Sequence, residues 1–173
     1  MIKKFLPNVI LMLVIFGSIY ILFQQVLRFN ANDPQIQMST DLALNLANGV
    51  IDYPDSRKID ISKSLSPVTI VLDDKQRVLF NNASLDGKQP VPPKGVFDFA
   101  KTTSDNRITW QPKPGVRLAL VVKYFDGRQK GYVAVARSLT EVENRSAALL
   151  RMTVVGLAIA IGTTFWFSIF KWG

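Results

Sequence analysis

The sequence predicts an α+β protein in which two transmembrane helices flank one domain, a five-stranded antiparallel sheet with helical cover. Three observations predict this arrangement. An uncharged apolar run lies near each end of the 173-residue chain, short segments of alternating apolar and polar residues lie between the runs, and apolar residues at helical spacing precede and follow those segments.

The two apolar runs are long enough to cross a membrane. Phe5–Phe23 and Met152–Phe170 each contain 19 residues without Asp, Glu, Lys or Arg. A helix of that length rises about 28 Å, and the hydrocarbon core of a bilayer is about 30 Å thick. We therefore predict transmembrane helices at residues 5–27 and 152–170, with the lipid bilayer as an expected partner.

The charges outside the runs predict the topology. Residues 1–4 and 171–173 contain Lys3, Lys4 and Lys171 and no acidic residue, which predicts two cytoplasmic tails. The domain between the spans is then extracytoplasmic. The first run is longer than the apolar region of a typical signal peptide and no A-x-A-like site follows it, so an uncleaved signal anchor is expected.

Small residues in the second run predict close helix packing. Gly156/Ala160 and Ala158/Gly162 are small-xxx-small pairs, which allow helix backbones to approach each other. Three partners are compatible with such a surface: the first span of the same chain, another membrane protein, or a second copy in a homodimer. Neither run contains an ionisable acid or base, which argues against ion conduction.

Composition excludes several kinds of site. The chain has no Cys and no His, so disulfides, thiolate chemistry and His-based catalysis are excluded, and the commonest zinc ligands are missing. No enzymatic activity, metal or cofactor is expected. The net charge is +8, about +5 of it between the spans, which indicates either affinity for anions or a solvated basic surface. Nucleic-acid binding is not expected, because the basic domain faces outward.

A helix at Pro34–Ile51 is predicted to follow the first span. Asp33 is a favourable N-cap residue, and Pro34 is a favourable first helical residue. The apolar stripe of this helix would consist of Ile36, Ala43, Leu46 and Val50. We expect helices to cover one face of the sheet.

Alternating residues and turn signals predict five strands. A hairpin is expected around the turn Asp73–Gln76, and Asp126-Gly127 marks a second hairpin turn. A short helix is expected at Val96–Thr102. The predicted strands are Val68–Leu72, Val78–Phe80, Arg107–Gln111, Val116–Phe125 and Gly131–Arg137.

The last predicted helix begins outside the membrane. Ser138 and Glu141 have the spacing of a capping box, and Thr140 with Glu143 offers a second register. Nothing in the sequence interrupts a helix from there to Phe170. We predict a juxtamembrane helix at residues 138–151 that is continuous with the second span.

Polar residues on two neighbouring strands are compatible with a binding face for a small anionic ligand. If alternation holds, five polar residues share that face: Arg107, Thr109, Gln111, Arg117 and Lys123. Trp110 and Tyr132 either line a pocket there or belong to the core. The alternative for the whole face is a solvent-exposed side of an antiparallel sheet.

The acidic pair Asp73-Asp74 has two interpretations. Carboxylates at a turn can bind a divalent cation, or they can simply be solvated. The other acidic residues are scattered and calcium requires several oxygen ligands, so no metal site is predicted.

The chain resembles a known family at several of these elements. They are the helix after the first span, the hairpin Pro67–Asn82, and above all the segment Gly131–Glu143, in which a final strand runs into a helix and the second span. The chain is similar, over nearly its whole length, to the extracytoplasmic sensor region of bacterial membrane histidine kinases. The resemblance implies a PAS-like (PDC/Cache) domain at residues 28–137 and a location in the bacterial cell membrane.

The chain also departs from this family. Family kinases continue past the second span into a linker and a kinase, whereas this sequence ends at Gly173. It is either a sensor fragment or a two-span protein that acts through a partner. The resemblance implies a sensor or regulatory protein that signals through its spans. The alternative is an accessory or scaffold subunit of a larger membrane complex.

Overall fold

The protein is an α+β molecule with two compact units. The computed structural model describes residues 2–54 and 56–170, and for residues 2–4 and 170 it describes the backbone only. A helical unit comprises the chain up to Phe29 and from Val142, and a sheet domain comprises Asn30–Glu141. The α+β class predicted from sequence is confirmed.

Four helices and seven strands make up the described chain. The helices are α1 (Ile2–Asn30), α2 (Asp33–Ala47), α3 (Lys94–Thr103) and α4 (Thr140–Phe170). The strands are β1 (Ile59–Asp60), β2 (Val68–Asp73), β3 (Val78–Asn81), β4 (Ala83–Ser84), β5 (Asp105–Lys113), β6 (Val116–Asp126) and β7 (Lys130–Ser138).

Five strands form the predicted antiparallel sheet, in the spatial order β3-β2-β7-β6-β5. The last strand in sequence, β7, is therefore the central one, hydrogen-bonded to β2 and to β6. Its residues from Gly131 to Ala136 are all buried. A strand covered on both faces requires apolar side chains at successive positions, which explains the run of Val and Ala in β7.

Helices cover both faces of the sheet, so the expectation of cover on one face is wrong. On one face Leu42 and Leu46 of α2 pack with Val133 and Val135 of β7. On the other face Phe97 of α3 belongs to a core with residues of β2, β6 and β7. The sequence pattern conceals the second layer, because α3 is only ten residues long and buries just two residues, Phe97 and Ala100.

The buried stripe of α2 differs from the predicted one. Val50 is exposed, Ile36 is half-buried, and the buried positions are Gln35, Ser39, Leu42, Ala43 and Leu46. The two polar members are accommodated by backbone oxygens. Ser39 Oγ donates to the Ile36 carbonyl at 3.0 Å, and Gln35 Nε2 donates to the Ala31 carbonyl at 2.9 Å. Hydrogen bonding to the backbone lets polar residues occupy a face that hydropathy alone would not select.

Helix α2 ends earlier than predicted, at Ala47. Gly49 has a φ of +84°, and its N–H donates to the Leu46 carbonyl while the N–H of Val50 donates to the Asn45 carbonyl. This pair of hydrogen bonds is a Schellman motif, which terminates a helix at a residue in the left-handed region. The glycine therefore sets the end of α2.

A small parallel ladder, β1 with β4, was not predicted from sequence. Each strand has only two residues, too few to give an alternating pattern. Neighbouring asparagines hold this region: Asn82 Oδ1 accepts from the Thr69 N–H at 2.7 Å and Asn81 Oδ1 accepts from the Ala83 N–H at 2.8 Å. These side-chain hydrogen bonds thus support a ladder whose two-residue strands form few backbone hydrogen bonds.

Within the helical unit, α1 and α4 pack in opposite directions. The rings of Phe5 and Phe165 meet edge to face at 5.8 Å, and further along Phe16 lies against Gly156. Two segments, Phe5–Ala47 and Thr140–Ile169, contain stretches long and apolar enough to cross a membrane, with mean hydropathies of 2.3 and 1.8. The first segment takes in α1 and α2.

The small residues of the second span do not share one environment. Gly156 and Ala160 are half-buried, and a Cβ added at Gly156 would lie 3.0 Å from the Phe16 ring. Ala158 and Gly162 are exposed. The first pair therefore belongs to the packing of α4 against α1, whereas contact of the second pair with another protein or a second copy stays a prediction.

Replacing Gly131 with Ala is expected to destabilise the sheet domain by about 1–3 kcal/mol, the usual cost of overpacking. An added Cβ would overlap the backbone oxygen of Leu72 on the neighbouring strand and lie 3.1 Å from the Phe125 ring. Urea unfolding of the full chain in detergent measures the change.

Gly95→Ala is the matched control for this substitution. No atom lies within 4 Å of a Cβ added at Gly95, which is inside α3, so Ala should stabilise the helix by up to about 1 kcal/mol. If Gly131→Ala were as stable as the unsubstituted protein, the close packing of β7 against β2 would be refuted.

Candidate functional site

The polar residues predicted to share a sheet face largely do so. In the β5–β6 ladder Arg107 pairs with Val121 and Thr109 with Ala119, and in the β6–β7 ladder Lys123 pairs with Val133. Arg117 lies two residues before Ala119 and so points to the same face, which is the one that α2 covers. Gln111 lies in the irregular part of the β5–β6 ladder, where register does not fix its face.

The two aromatic residues proposed to join them lie on the opposite face. Trp110 pairs with Leu118, and both belong to the core on the α3 side. Tyr132 is 1% exposed and contacts the ring of Phe97 at 5.6 Å. The structure therefore does not bring Arg107, Trp110, Arg117, Lys123 and Tyr132 into one pocket. Alternation along the strands separates them, and of the two alternatives for the aromatic residues the core is the one observed.

The cationic face is partly neutralised within the protein. Arg107 Nη2 lies 2.8 Å from Asp105 Oδ2, an ion pair between two residues of β5. Arg107, Thr109 and Arg117 are exposed, and Lys123 is half-buried. Anion binding there stays a prediction.

Both carboxylates of the Asp73-Asp74 pair are occupied by basic groups. Asp73 Oδ2 accepts from Arg77 Nε at 2.6 Å, and Asp74 Oδ1 accepts from Lys101 Nζ at 2.6 Å. Over the described residues, no group of three or more acidic side chains has the arrangement of a metal site. These aspartates therefore serve the hairpin turn and its neighbours.

Asp74, Lys101 and Tyr124 form a cluster that we call the clasp. The Tyr124 hydroxyl donates to Asp74 Oδ1 at 3.0 Å, and Lys101 Nζ lies 5.2 Å from the centre of the Tyr124 ring. A second contact runs parallel to it, from Gln76 Nε2 to Asp98 Oδ1 at 2.5 Å. These contacts connect the β2–β3 turn with α3 and β6.

The clasp changes the acidity of its members. Hydrogen bonds from Lys101 and Tyr124 hold the pKa of Asp74 below its ordinary value, and the same bond to Asp74 raises the pKa of Lys101. Burial raises the pKa of Tyr124, with the Asp74 hydrogen bond adding to the effect. All three groups keep the ionisation state that favours the contact at neutral pH.

A cavity of about 290 Å³ lies between α2, the segment that follows it, and β2. We call it the α2 cavity. It is lined by Met38, Asp41, Leu42, Asn45, Asp52, Tyr53, Pro54 and Thr69. The four helical residues are spaced i, i+3, i+4 and i+7, so one stripe of α2 forms one wall. The opposite wall is the chain that returns after the Schellman motif.

The α2 cavity combines an apolar surface with oxygen-bearing groups. The Tyr53 ring is held by stacking on Phe80, with ring centres 5.0 Å apart and planes inclined by 16°. Asp41 and Asp52 contribute carboxylates, and the buried Thr69 contributes a hydroxyl. Among the described residues no Lys or Arg lines the cavity, although the chain carries 21 of them.

Sequence reasoning missed this cavity. The pattern at Tyr53-Pro54 indicates only the end of a helix, and Asp41 and Asn45 belong to the polar side of a predicted surface helix. The available signal is the i, i+4 pair of oxygen-bearing residues beside Met38 and Leu42. That pattern shows a polar and apolar stripe, but it does not reveal the return of the chain past α2.

The clasp is expected to make the sheet domain less stable as the pH falls into the acidic range. Because the folded-state pKa of Asp74 is lowered from 3.8, its stabilisation is complete above that value and is lost as the pH falls through the folded-state pKa. Asp74→Asn should therefore lower the Tm of the sheet domain at pH 7, and the difference from the unsubstituted protein should shrink as the pH falls below 3.8. Differential scanning calorimetry measures it.

Tyr124→Phe is the companion variant. It removes one donor to Asp74 and leaves the Lys101 ion pair, so it should lower the Tm less than Asp74→Asn at neutral pH. A difference between Asp74→Asn and the unsubstituted protein that is the same at pH 7 and at pH 2–3 (about one pH unit below the ordinary Asp pKa) would contradict the clasp.

Comparison of the chain with protein-family models, with curated proteins and with solved structures finds no match.

Proposed function

We propose that this chain is a membrane-anchored sensor or regulatory protein. Its sheet domain is a PAS-like extracytoplasmic module that takes a ligand, and its two apolar helices anchor the module in the bacterial cell membrane and pass the signal to a membrane partner. The proposal follows the resemblance to histidine kinase sensor regions. Its strongest support is the position of β7.

The link from the sheet to the second apolar helix is very short. Leu139 alone separates β7 from α4, and its N–H donates to the Arg117 carbonyl on β6 at 2.9 Å. The Ser138 hydroxyl accepts from the N–H of Thr140, the first residue of α4, at 3.3 Å. Because the connection is one residue long, a change in the position of β7 would also move the start of α4.

The α2 cavity adjoins the same central strand. Its floor residue Thr69 pairs directly with Val135 on β7, three residues before Ser138. A ligand in the cavity would touch β2 at this point and displace α2, which packs on Val133 and Val135. The cavity, β7 and the first residues of α4 are therefore joined by packed side chains, strand pairing and the covalent chain, along which coupling can be carried.

The topology belongs to the same proposal. The short tails with Lys3, Lys4 and Lys171 are cytoplasmic, and the sheet domain lies outside the membrane on the other side. Both apolar helices then cross the bilayer, in agreement with their length and hydropathy.

Single cysteines test this topology without background, because the 173-residue sequence contains no Cys. Lys88→Cys lies at an exposed loop position of the sheet domain and should react with a membrane-impermeant maleimide in intact bacterial spheroplasts. Lys3→Cys should react only after the membrane is permeabilised. Labelling of both positions to the same extent in intact spheroplasts would refute the two-span topology.

Occupying the α2 cavity covalently tests the coupling. Asn45→Cys, modified with a small thiol reagent, places a group inside the cavity and should change amide hydrogen exchange in the first turns of α4 by several-fold, because α2 and β7 must adjust. Gln37→Cys, exposed on the same helix and outside the cavity, is the control. Mass spectrometry of the 173-residue chain in detergent measures the exchange.

Inserting Gly-Gly after Leu139 supplies the decisive variant. It lengthens the link while leaving the cavity intact, so thiol modification of the Asn45→Cys variant should still alter exchange in α2 but no longer in α4. Unchanged exchange in α4 without the insertion would reject the sensor mechanism. Co-purification with a partner at fixed stoichiometry, together with such a result, would favour the accessory-subunit alternative.

A further inference from the structure

Most aspartates in the sheet domain are paired, and two that are not lie together at the α2 cavity. Along the described chain, seven aspartates each bond to a basic, amide or hydroxyl group: Asp60, Asp73, Asp74, Asp86, Asp98, Asp105 and Asp126. Across the same described residues, the carboxylates of Asp33, Asp41 and Asp52 have no such bond.

The position of Asp33 accounts for its lack of a partner. It lies in the first turn of α2, where the helix dipole stabilises a negative charge without a direct bond. Asp41 lies in the third turn of that helix and Asp52 lies beyond its end, so neither has this support. Two negative charges of a basic chain thus lie at the α2 cavity without a hydrogen bond or ion pair to any described residue.

The rest of the cavity wall indicates what kind of cation would compensate them. Thr69, which lines the cavity, is 1% exposed and carries a hydroxyl group. Met38, Leu42 and Tyr53 supply a thioether, an alkyl group and an aromatic face, which suit an apolar body better than a hydrated ion.

We propose that the α2 cavity binds a small organic cation, specifically an aliphatic amine or diamine. Its ammonium groups pair with Asp41 and Asp52, and its methylene chain lies on Met38, Leu42 and Tyr53. This inference rests on the proposed function in taking the cavity as the ligand site of the domain. It concerns a different site from the cationic face of β5 and β6, for which an anion was expected.

The competing ligands fit the wall less well. An anion would meet two carboxylates and, among the described lining residues, no Lys or Arg. A divalent metal ion prefers six or more oxygen ligands with little apolar surface, whereas half of the lining residues here are apolar or aromatic. The volume of about 290 Å³ exceeds what a single ion fills and admits a molecule of several heavy atoms.

Three four-carbon probes of equal length separate these possibilities. Isothermal titration calorimetry of the full chain in a neutral detergent should show binding of 1,4-diaminobutane and at least about ten-fold weaker binding of 1,4-butanediol and succinate, since each tenfold corresponds to about 1.4 kcal/mol. Raising the ionic strength from about 10 mM to 150 mM should weaken diamine binding, because the charges are partly solvated.

Asp41→Asn and Asp52→Asn should each weaken diamine binding about ten-fold. Asp33→Asn is the matched control, because Asp33 is exposed on the same helix, about two turns before Asp41, and does not line the cavity. It should change the affinity less than about two-fold, because solvent and salt screen a charge that lies away from the ligand.

Four results would overturn the inference: diol or succinate binding as tightly as the diamine, unchanged affinity in both cavity variants, an equal loss in Asp33→Asn, or displacement of the diamine by millimolar Ca²⁺ through Asp41 and Asp52. If the diamine does not bind but thiol modification of the Asn45→Cys variant still alters hydrogen exchange in α4, the amine site is wrong and the sensor mechanism is retained. If the diamine binds but the modification does not alter exchange in α4, the sensor mechanism is wrong and the amine site is retained.

Discussion

The structure depends on the double pairing of β7. This strand donates and accepts hydrogen bonds along both edges, to β2 and to β6, and its side chains are buried under α2 on one face and under α3 on the other. Every layer of the sheet domain meets at it. Because Gly131 lies against Leu72 without room for a Cβ, even the smallest enlargement there separates two strands. The same strand leads after one residue into α4.

The polar groups around β7 are of two kinds, those that pair within the sheet domain and those that have no partner among the described residues. The clasp and the asparagines at the end of β3, Asn81 and Asn82, hold turns and short strands that have little apolar surface of their own. The α2 cavity is different, since its carboxylates are directed to no partner among the described residues. The aspartates of the turns and strand ends pair within the domain, whereas the carboxylates of the cavity, unpaired among the described residues, lie where a ligand can reach them. This contrast supports treating the cavity as the binding site.

Much of the fold could be predicted from the sequence and less of the site. Period-two alternation located all five strands of the main sheet to within about two residues, and the uncharged runs located α1 and α4. The residues of α2 that face the sheet were harder to predict. Gln35 is buried there because its amide reaches two backbone carbonyls, a contact that hydropathy does not indicate. The α2 cavity depends on the path of the chain after Gly49, a tertiary feature. A ligand-lining role for Trp110 and Tyr132 was only one of two alternatives, and alternation itself places them in the core.

The spatial order of the strands has a consequence for how the protein is made. The pairs β2–β3 and β5–β6 are local hairpins that share no ladder with each other until β7 arrives between them. β7 is also the last strand in sequence, so about 60 residues intervene between β2 and its partner. During synthesis the emerging chain therefore holds two half-sheets with open edges, and long-range closure of this kind is slow. The five-stranded sheet can therefore close only when the segment immediately before α4 has been made, because Leu139 alone separates β7 from α4.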